Sequence, residues 1–424
     1  MSAHALAGAL RDAARMVARV AEGRSLAAEF ERVAEDGTET PRAALLDLTH
    51  GTLRRYGRVQ RVVRELSRQE RSDPLVEALL WCSLYALESG RYAEYTVVDQ
   101  AVRACALLEK WTAKGYVNAV LRGSLRSRAM LESRIAADEE ARYQHPRWWI
   151  DLVRAAYPAQ WEQVLAAGNS HPPMALRVNR RRIGLAEYEA RLAAEGIVTR
   201  RVGGEALLLE RALPAERLPG FAAGEVSVQD AAAQRAAPCL DLAAGQRVLD
   251  ACAAPGGKSA HMLELADVAL TALDADAARA GRITRNLERL GLAARVAIAD
   301  CSQLAQWWDG VPFDRILADV PCSASGVARR HPDLKWLRRA QDIGAFAARQ
   351  AAILDALWQA LGAGGKLLYV TCSVFPQENE SVVEAFVARA PGARRLPLAD
   401  GRAAQWLPEA GHDGFYYALI EKRA

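Results

Sequence analysis

Two cysteines stand at the ends of two apolar runs, fifty residues apart along the chain. The run LADVPCS carries Cys322, and the run LYVTCS carries Cys372. A buried cysteine taken alone is most often a small apolar side chain, and that interpretation stays open for each of them. Two thiols at the ends of neighbouring strands would instead face one ligand, where a thiolate is a strong nucleophile.

A thiol pair beside a methyl donor fits one difficult reaction, the methylation of carbon 5 of a pyrimidine. This carbon is a poor nucleophile until a thiolate bonds to carbon 6 and pushes electron density toward it. A base must then remove the hydrogen from carbon 5 so that the thiolate can leave. Asp319, three residues before Cys322, is placed to bind the polar edge of the base. The residues alone do not say which thiol attacks.

A glycine-rich turn in VLDACAAPGGKSAHML predicts a strand, a tight loop and a helix. Gly256 and Gly257 let the backbone approach a ligand, and the helix from Lys258 directs free N–H groups at the loop. The acids Asp274 and Asp300 close the next two strands. Acidic strand ends without a phosphate-binding spacing favour a nucleoside that carries a positive charge, such as S-adenosylmethionine. The alternative is an ordinary turn with aspartates that cap helices.

Three blocks of secondary structure must position these residues. Residues 1–141 show apolar residues at three- and four-residue steps, which predicts an all-helical domain. Residues 142–230 suggest a small α+β connector, with strands at PMALRVNR and EALLLE around a helix. Residues 231–424 alternate strands with helices, which predicts a Rossmann-like α/β domain with a parallel sheet. Functional residues are expected at the carboxyl ends of its strands.

Composition sets limits on the class of protein. The chain has 424 residues, a formal net charge of +4 and a pI near 8.7, which permits a nucleic-acid partner without requiring one. Its seven cysteines show no zinc-type spacing, so neither a metal site nor a disulfide framework is predicted. Arginines interrupt the first twenty residues, and no apolar run is long enough to span a bilayer. A cytoplasmic protein without a membrane partner is expected.

The stretches DACAAPGGK, ADVPCSASGVARRHPDLKW and VTCSVFPQENE together resemble the RNA cytosine-5 methyltransferases. The resemblance spans nearly the whole chain and is strongest to the bacterial members that act on 16S ribosomal RNA. It implies a NusB-like RNA-binding domain over residues 1–141, a connector with an RRM-like module over 142–230, and a class I methyltransferase domain over 231–424. Val320 stands where alanine is commoner in the family.

The resemblance also assigns roles to particular residues. It implies that Cys372 is the nucleophile, that Cys322 assists product release, and that Asp319 serves both the reaction and the cofactor. It implies that S-adenosylmethionine is bound by Cys252, Ala253, Ala254, Pro255, Gly256, Gly257, Lys258, Asp274, Asp300 and Asp319.

Basic residues suggest where RNA is held, although a solvated helix face is the alternative for most of them. One arginine stripe has helical spacing and consists of Arg54, Arg58, Arg61, Arg68 and Arg71. A second group, Arg329, Arg330 and His331, follows the loop that carries Cys322. The run RVNRRR over residues 177–182 is a third candidate.

The sequence therefore predicts an S-adenosylmethionine-dependent enzyme that forms 5-methylcytosine in 16S ribosomal RNA. The target base must leave its helix or loop, so single-stranded or loosened RNA is the expected substrate, and a monomer is expected. Two alternatives remain: the same chemistry on tRNA, and an RNA-binding regulator with a vestigial methyltransferase domain.

Overall fold

The computed structural model describes residues 3–67 and 73–423, which form two compact units. A helical unit comprises the chain up to Ser170 together with Ala328–Ala340, and an α/β unit comprises His171–Val327 and Gln341–Ala424. This division sets no boundary at residue 230 and differs from the three predicted blocks in two further places. Residues 142–170 belong to the helical unit, and so does a short segment of the predicted third block.

The predicted helices of the first block are present, and α5 begins as its sequence indicates. Asp73 caps this helix by accepting hydrogen bonds from the backbone N–H groups of Leu75 and Val76, and Pro74 occupies the first turn. The helix is buried along most of its length, so the others pack around it. The helices are α1 (Ala3–Ala21), α2 (Leu26–Asp36), α3 (Arg42–Arg54), α4 (Tyr56–Leu66), α5 (Pro74–Glu88), α6 (Glu94–Leu107), α7 (Lys114–Arg126), α8 (Arg128–Ala136), α9 (Glu139–Tyr143), α10 (Arg147–Ala156) and α11 (Trp161–Asn169).

The connector forms an antiparallel sheet with the strand order β2-β3-β1-β4. Its elements are β1 (Ala175–Val178), α12 (Leu185–Ala194), β2 (Thr199–Gly203), β3 (Ala206–Leu209) and β4 (Val226–Val228). The predicted strand, helix and strand correspond to β1, α12 and β3. Strand β2 was not predicted. None of its side chains is buried, and its sequence lacks the alternation of apolar and polar residues that indicates a strand.

The remaining chain is built on an eight-stranded mixed sheet with helices between its strands. One helix of this stretch belongs to the helical unit instead. Its strands are β5 (Arg247–Asp250), β6 (Ala269–Asp274), β7 (Arg295–Ile298), β8 (Phe313–Asp319), β9 (Leu361–Thr371), β10 (Ala393–Leu396), β11 (Gln405–Trp406) and β12 (Phe415–Lys422). Its helices are α13 (Ala236–Cys239), α14 (Gly257–Leu265), α15 (Ala277–Leu290), α16 (Leu334–Leu337), α17 (Ala340–Ala360) and α18 (Glu380–Arg389), of which α16 lies in the helical unit.

Strand order explains which loops meet at the sheet edge. The order is β10-β12-β9-β8-β5-β6-β7, and the run from β9 to β7 is parallel, as predicted. Strand β12 adds to β9 in the antiparallel sense, followed by β10 and the short β11. Because β8 and β9 are parallel neighbours, the loops that follow them leave from the same edge.

The described residues contain neither a membrane-spanning helix nor a metal-binding cluster. Within residues 3–67 and 73–423, no helix is long and apolar enough to cross a membrane. In the same residues, no group of three or more histidine, cysteine, aspartate or glutamate side chains is arranged to hold a metal ion.

Candidate active site

A cavity of about 330 Å³ opens at the carboxyl edge of the parallel strands, within the usual size range of small-molecule sites. The loops after β5, β6, β7, β8 and β9 all contribute to its wall. The lining includes Cys252, Ala254, Asp274, Arg279, Asp300, Cys301, Asp319, Val320, Pro321, Cys322, Arg349 and Cys372. Most of the residues predicted from separate stretches of sequence therefore meet in one place.

The predicted donor loop is the tight turn between β5 and α14. Gly256 has a φ of +95°, and a Cβ atom there would lie 3.1 Å from the Cα of Ile283 on α15. Both facts favour glycine, because other residues rarely adopt this conformation and an added Cβ atom would require α15 to shift by a few tenths of an ångström. The glycine therefore allows the loop to pack closely against α15.

A buried acid supports this loop from below. Asp250 ends β5, and its Oδ2 atom accepts a hydrogen bond of 2.6 Å from the Ser259 hydroxyl on α14. Its Oδ1 atom is buried without a hydrogen-bond partner. Burial raises the pKa of Asp250 to about 7, and the nearby charge of Asp319 acts in the same direction.

The acids at the next two strand ends differ in their contacts. Asp274, at the end of β6, accepts hydrogen bonds from the backbone N–H groups of Ala254 (3.2 Å) and Asp276 (3.1 Å), and thus ties the donor loop to this strand end. Asp300, after β7, accepts hydrogen bonds from the N–H and the hydroxyl of Ser302. These bonds stabilise the ionised form and lower the pKa of Asp300.

Lys258 and Asp319 form an ion pair beside the cavity. The Lys258 Nζ atom lies 2.6 Å from Asp319 Oδ2. Burial opposes the charge of Lys258, but Asp319 outweighs that effect, with a smaller contribution from Cys372, so that its pKa is raised. The ammonium group of Lys258 therefore remains charged beside Asp319 and near the Cys372 thiol.

The two thiols lie in contact. The Cys322 Sγ atom is 3.4 Å from the Cys372 Sγ atom, and both cysteines line the cavity together with Asp319. The contact with Cys372 and burial both raise the pKa of Cys322. Both thiols reach one cavity because β8 and β9 are adjacent and parallel.

Some cavity residues received no role from the sequence. Cys301 lies 3.8 Å, sulfur to sulfur, from Cys252. Arg279 and Arg349 contribute guanidinium groups to the wall. The position of Arg279 in the first turn of the helix after β6 was a usable signal, whereas Arg349 comes from the middle of α17 and only the packing reveals it.

The lining fits S-adenosylmethionine, whose positive sulfonium and nucleoside parts need carboxylates and close backbone approach. Asp274, Asp300 and Asp319 provide three carboxylates on one cavity, and the donor loop borders it through Cys252 and Ala254. The thiols complete the same wall, so a methyl donor bound there would lie near them.

The arginine stripe of the helical unit is engaged with acids. Arg58 forms ion pairs with Glu88 and Glu132, and Arg61 pairs with Glu65 and Asp138. Carboxylates that already neutralise these guanidinium groups reduce their use for phosphate binding. Arg68 and Arg71 lie outside the described residues.

Two further candidates for RNA contact are corrected by their burial. Arg54 is only 9% exposed, and it donates a 2.9 Å hydrogen bond to the backbone oxygen of Arg329. Arg329 is itself 1% exposed. Buried guanidinium groups of this kind do not reach an RNA phosphate, so the structure assigns both residues to packing within the helical unit. Arg330 is half-buried and His331 exposed, and their contact with RNA stays a prediction.

The third basic run also has a structural role. Arg177 is fully buried in the α/β unit, where it pairs with Glu264 of α14 at 2.7 Å. The same guanidinium donates a 2.8 Å hydrogen bond to the backbone oxygen of Gly257. Arg177 thus braces the donor loop instead of binding phosphate.

Three segments of the chain match known families. Residues 9–126 match the NusB family, residues 145–216 match the ferredoxin-like domain described as RsmF/B-like, and residues 237–421 match the family described as 16S rRNA methyltransferase RsmB/F. The chain is 45% identical to ribosomal RNA small subunit methyltransferase B of Pseudomonas putida, over 97% of this chain and 98% of that protein. It is 44% identical to the protein of the same name from Vibrio cholerae, over 90% and 89%.

Solved structures share the fold. The structure described as PH0851 matches with a TM-score of 0.81 and 22% identity, over 98% of this chain and 99% of its own. A methyltransferase homologue from Pyrococcus horikoshii matches with a TM-score of 0.60 and 27% identity, over 67% of this chain and 98% of its own.

Proposed function

Because the chain belongs to the RsmB/F family of 16S rRNA methyltransferases, we propose that it methylates carbon 5 of a cytosine in 16S ribosomal RNA through a covalent adduct with Cys372. Its cofactor is S-adenosylmethionine, which supplies the methyl group when bound. A NusB-like helical domain, a ferredoxin-like connector and a Rossmann-like methyltransferase domain follow one another along the chain.

One observation carries the proposal: two thiols 3.4 Å apart line the same cavity as the predicted donor-site carboxylates. A methyltransferase that acted on an oxygen or nitrogen atom would not need a thiol pair beside its donor. Carbon 5 of cytosine needs one sulfur to activate the ring and benefits from a second group that acts where the hydrogen departs.

The neighbours of the thiols support the assignment of their roles. The charged Lys258 lies within electrostatic reach of Cys372, the thiol to which the family resemblance gives the attack on carbon 6. Contact with Cys372 and burial raise the pKa of Cys322, which fits a thiol that keeps its proton until the later step. We therefore assign the attack to Cys372 and the later step near carbon 5 to Cys322.

The bond changes balance in three steps. The Cys372 thiolate forms a bond to carbon 6, and the displaced electron pair moves onto carbon 5, which takes the methyl group. Carbon 5 then loses its proton to a base, in a step that Cys322 assists. The electron pair of the broken C–H bond restores the double bond between carbons 5 and 6 and expels the Cys372 thiolate. Asp319 accepts a hydrogen bond from Lys258, and in this proposal it binds the polar edge of the ring during these steps.

Substitution of each thiol tests the mechanism. Cys372→Ala is expected to abolish transfer of labelled methyl groups to 16S ribosomal RNA and to form no adduct, because the attacking sulfur is lost. Cys322→Ala is expected to accumulate an RNA–protein adduct that survives denaturing electrophoresis, because release is blocked. Cys239→Ala removes a buried thiol outside the cavity and serves as the matched control. If Cys322→Ala turned over normally while Cys372→Ala trapped RNA, the roles would be reversed.

The substrate is tested separately from the mechanism. Bisulfite sequencing of 16S ribosomal RNA from cells with and without the protein should show one cytosine that loses protection. Methylation of tRNA but not of ribosomal RNA would favour the alternative substrate. No incorporation into either RNA by the intact protein would favour an RNA-binding regulator.

A further inference from the structure

Glu378 is a fully buried carboxylate that the chemistry proposed above leaves without a role. It lies in the short turn that follows the Cys372 loop, just before α18. Its four donors are neutral groups: a backbone amide, two hydroxyls and a carboxamide. A carboxylate with this many donors is held in one orientation, because each bond restricts its rotation.

The donors come from both loops that carry the thiols. From the Cys322 loop, the Ser323 amide donates to Oε1 at 2.7 Å and the Ser323 hydroxyl donates to Oε2 at 2.5 Å. From the Cys372 loop, the Ser373 hydroxyl donates to Oε2 at 2.6 Å. Each of these serines directly follows one of the cysteines. A single carboxylate therefore accepts hydrogen bonds from the residues next to both thiols.

Further contacts fix the carboxylate and the loops together. Ser325 Oγ lies 3.0 Å from Ser373 Oγ and accepts a 2.9 Å hydrogen bond from the Val374 amide. Gln350 of α17 donates both to Glu378 and to the backbone oxygen of Pro321. The Tyr369 hydroxyl lies 2.6 Å from the backbone oxygen of Glu378. The network is buried and links β9, α17 and both cysteine loops.

We propose that Glu378 is a positioning residue that sets the spacing of the Cys322 and Cys372 thiols by binding both of their loops at once. The proposal rests on the proposed function for the catalytic meaning of that spacing. The hydrogen bonds between Glu378 and both loops, which we call the clamp, are present in the protein without RNA. The charge of Glu378 also contributes to the raised pKa of Cys322, after the contact with Cys372 and burial.

The first test separates positioning from cofactor binding. Glu378→Gln keeps the size of the side chain but replaces one accepting oxygen by a donor, so that both loops cannot be held as before. We expect kcat for methyl transfer to fall about 100-fold, since small misplacements of reacting groups have effects of this order. The affinity for S-adenosylmethionine should stay within twofold. Glu384→Gln, on the exposed side of α18, is the matched control and should behave as the unmodified protein.

The second test measures the spacing without RNA. Diamide oxidises two neighbouring thiols to a disulfide and is itself reduced to the hydrazine. The rate of Cys322–Cys372 disulfide formation, followed by mass spectrometry of proteolytic peptides, should fall at least fivefold in Glu378→Gln. The Cys252–Cys301 pair, 3.8 Å apart and without a contact to Glu378, is an internal reference whose rate should not change.

The outcomes are distinct. Equal rates of Cys322–Cys372 disulfide formation in Glu378→Gln and Glu384→Gln would overturn the proposal. If Glu378→Gln does not fold, Ser373→Ala removes one arm of the clamp, and an unchanged disulfide rate in that variant would overturn it as well. If the unmodified protein transfers no methyl group to cytosine but the clamp variant slows disulfide formation, the proposed function fails and the positioning role stands.

Discussion

At the scale of single residues, the site shows how neighbours distinguish identical groups. Cys322 and Cys372 are the same residue type at matching positions after adjacent strands, yet Lys258 acts on one and Glu378 on the other. The two thiols therefore have different electrostatic surroundings, although their positions in the local sequence match. The same reasoning applies to Asp250, because burial shifts the pH range over which its carboxyl group is ionised.

Stability should depend on pH through Asp250. Its pKa in the folded protein, about 7, lies above the ordinary value of 3.8, so the protonated form stabilises the fold. That contribution is fully present below 3.8 and is lost as the pH rises toward 7. Asp250→Asn should therefore gain stability relative to the unmodified protein between pH 5 and pH 8, with a slope of up to about 1.4 kcal/mol per pH unit below pH 7. Urea unfolding at several pH values measures this difference.

The matched control for this prediction is Asp355→Asn on α17. Its carboxylate is exposed and pairs with Arg389 on the surface, so the substitution should change stability little at any pH. A difference between Asp250→Asn and the unmodified protein that did not vary with pH would mean that burial does not control this acid.

At the scale of elements, the strand-to-helix loops are shaped by contacts with the next helix and with the connector. On one side the donor loop packs so closely against α15 that a Cβ atom at Gly256 would lie 3.1 Å from Ile283 Cα. It is held from another side by Arg177 of β1, which binds Gly257 and Glu264 of α14. Local sequence fixes the turn, but these two neighbours fix its position.

Gly256→Ala tests the first of these contacts. The new Cβ atom would meet the backbone of α15, and the positive φ is unfavourable for alanine. We expect a loss of about 1–2 kcal/mol in the free energy of unfolding, together with weaker binding of S-adenosylmethionine by calorimetry. Gly257→Ala is the control, because its Cβ atom would make only an ordinary 3.6 Å contact with Gln229. Equal effects of the two substitutions would contradict the argument.

Arg177→Met tests the second contact. It leaves the buried carboxylate of Glu264 without its partner, so stability should fall by about 3–5 kcal/mol in urea unfolding. The double variant Arg177→Met, Glu264→Leu should recover most of that loss, because no buried charge then remains. Arg180→Met, which removes an exposed guanidinium 3.7 Å from Glu205, should cost less than about 1 kcal/mol. A small effect of Arg177→Met would show that the Arg177–Glu264 pair is not needed to hold α14 and the donor loop against the connector sheet.

At the scale of the whole molecule, the chain leaves the α/β unit after Val327, enters the helical unit for residues 328–340, and returns. Within the helical unit, Asp333 accepts a 2.9 Å hydrogen bond from the first amide of α2. Lys335 is buried and donates to the backbone oxygen of Gln144 and to Asn169, and burial lowers its pKa well below the ordinary value. A segment that follows the Cys322 loop in sequence is thus part of the helical core.

Trp336→Ala should therefore destabilise helices that lie far away in sequence. Trp336 packs edge-to-face on Tyr56, with ring centroids 5.1 Å apart, and its indole N–H donates to Leu53. We expect a loss of about 2 kcal/mol, less than for a fully buried tryptophan, and faster amide hydrogen exchange in α3 and α4. Arg339→Ala, at an exposed position of the same segment, is the control. Unchanged exchange in α3 and α4 would contradict a structural role of the segment.

The sequence by itself determined most of the helices, the parallel strands and the glycine turn, because local residue patterns encode these elements. Hydrophobic periodicity predicted the helices and the parallel strands, the glycine turn predicted the donor loop, and alternating strands and helices predicted that Cys322 and Cys372 share an edge. The family resemblance was likewise contained in three short stretches. The antiparallel additions to the sheet were not predicted, since pairing partners of an edge strand are set by contacts distant in sequence.

Only the tertiary structure decided what each polar side chain faces. Arg54, Arg177 and Arg329 looked like phosphate ligands in the sequence, but all three are buried by elements that come from elsewhere in the chain. Glu378 lies in the stretch VTCSVFPQENE, and the sequence indicated no role for it. Only the packing shows that its carboxylate binds both Ser323 and Ser373. The physical reason is that the burial and hydrogen-bond partners of a charged group depend on which distant segments the fold brings together, and no local pattern encodes them.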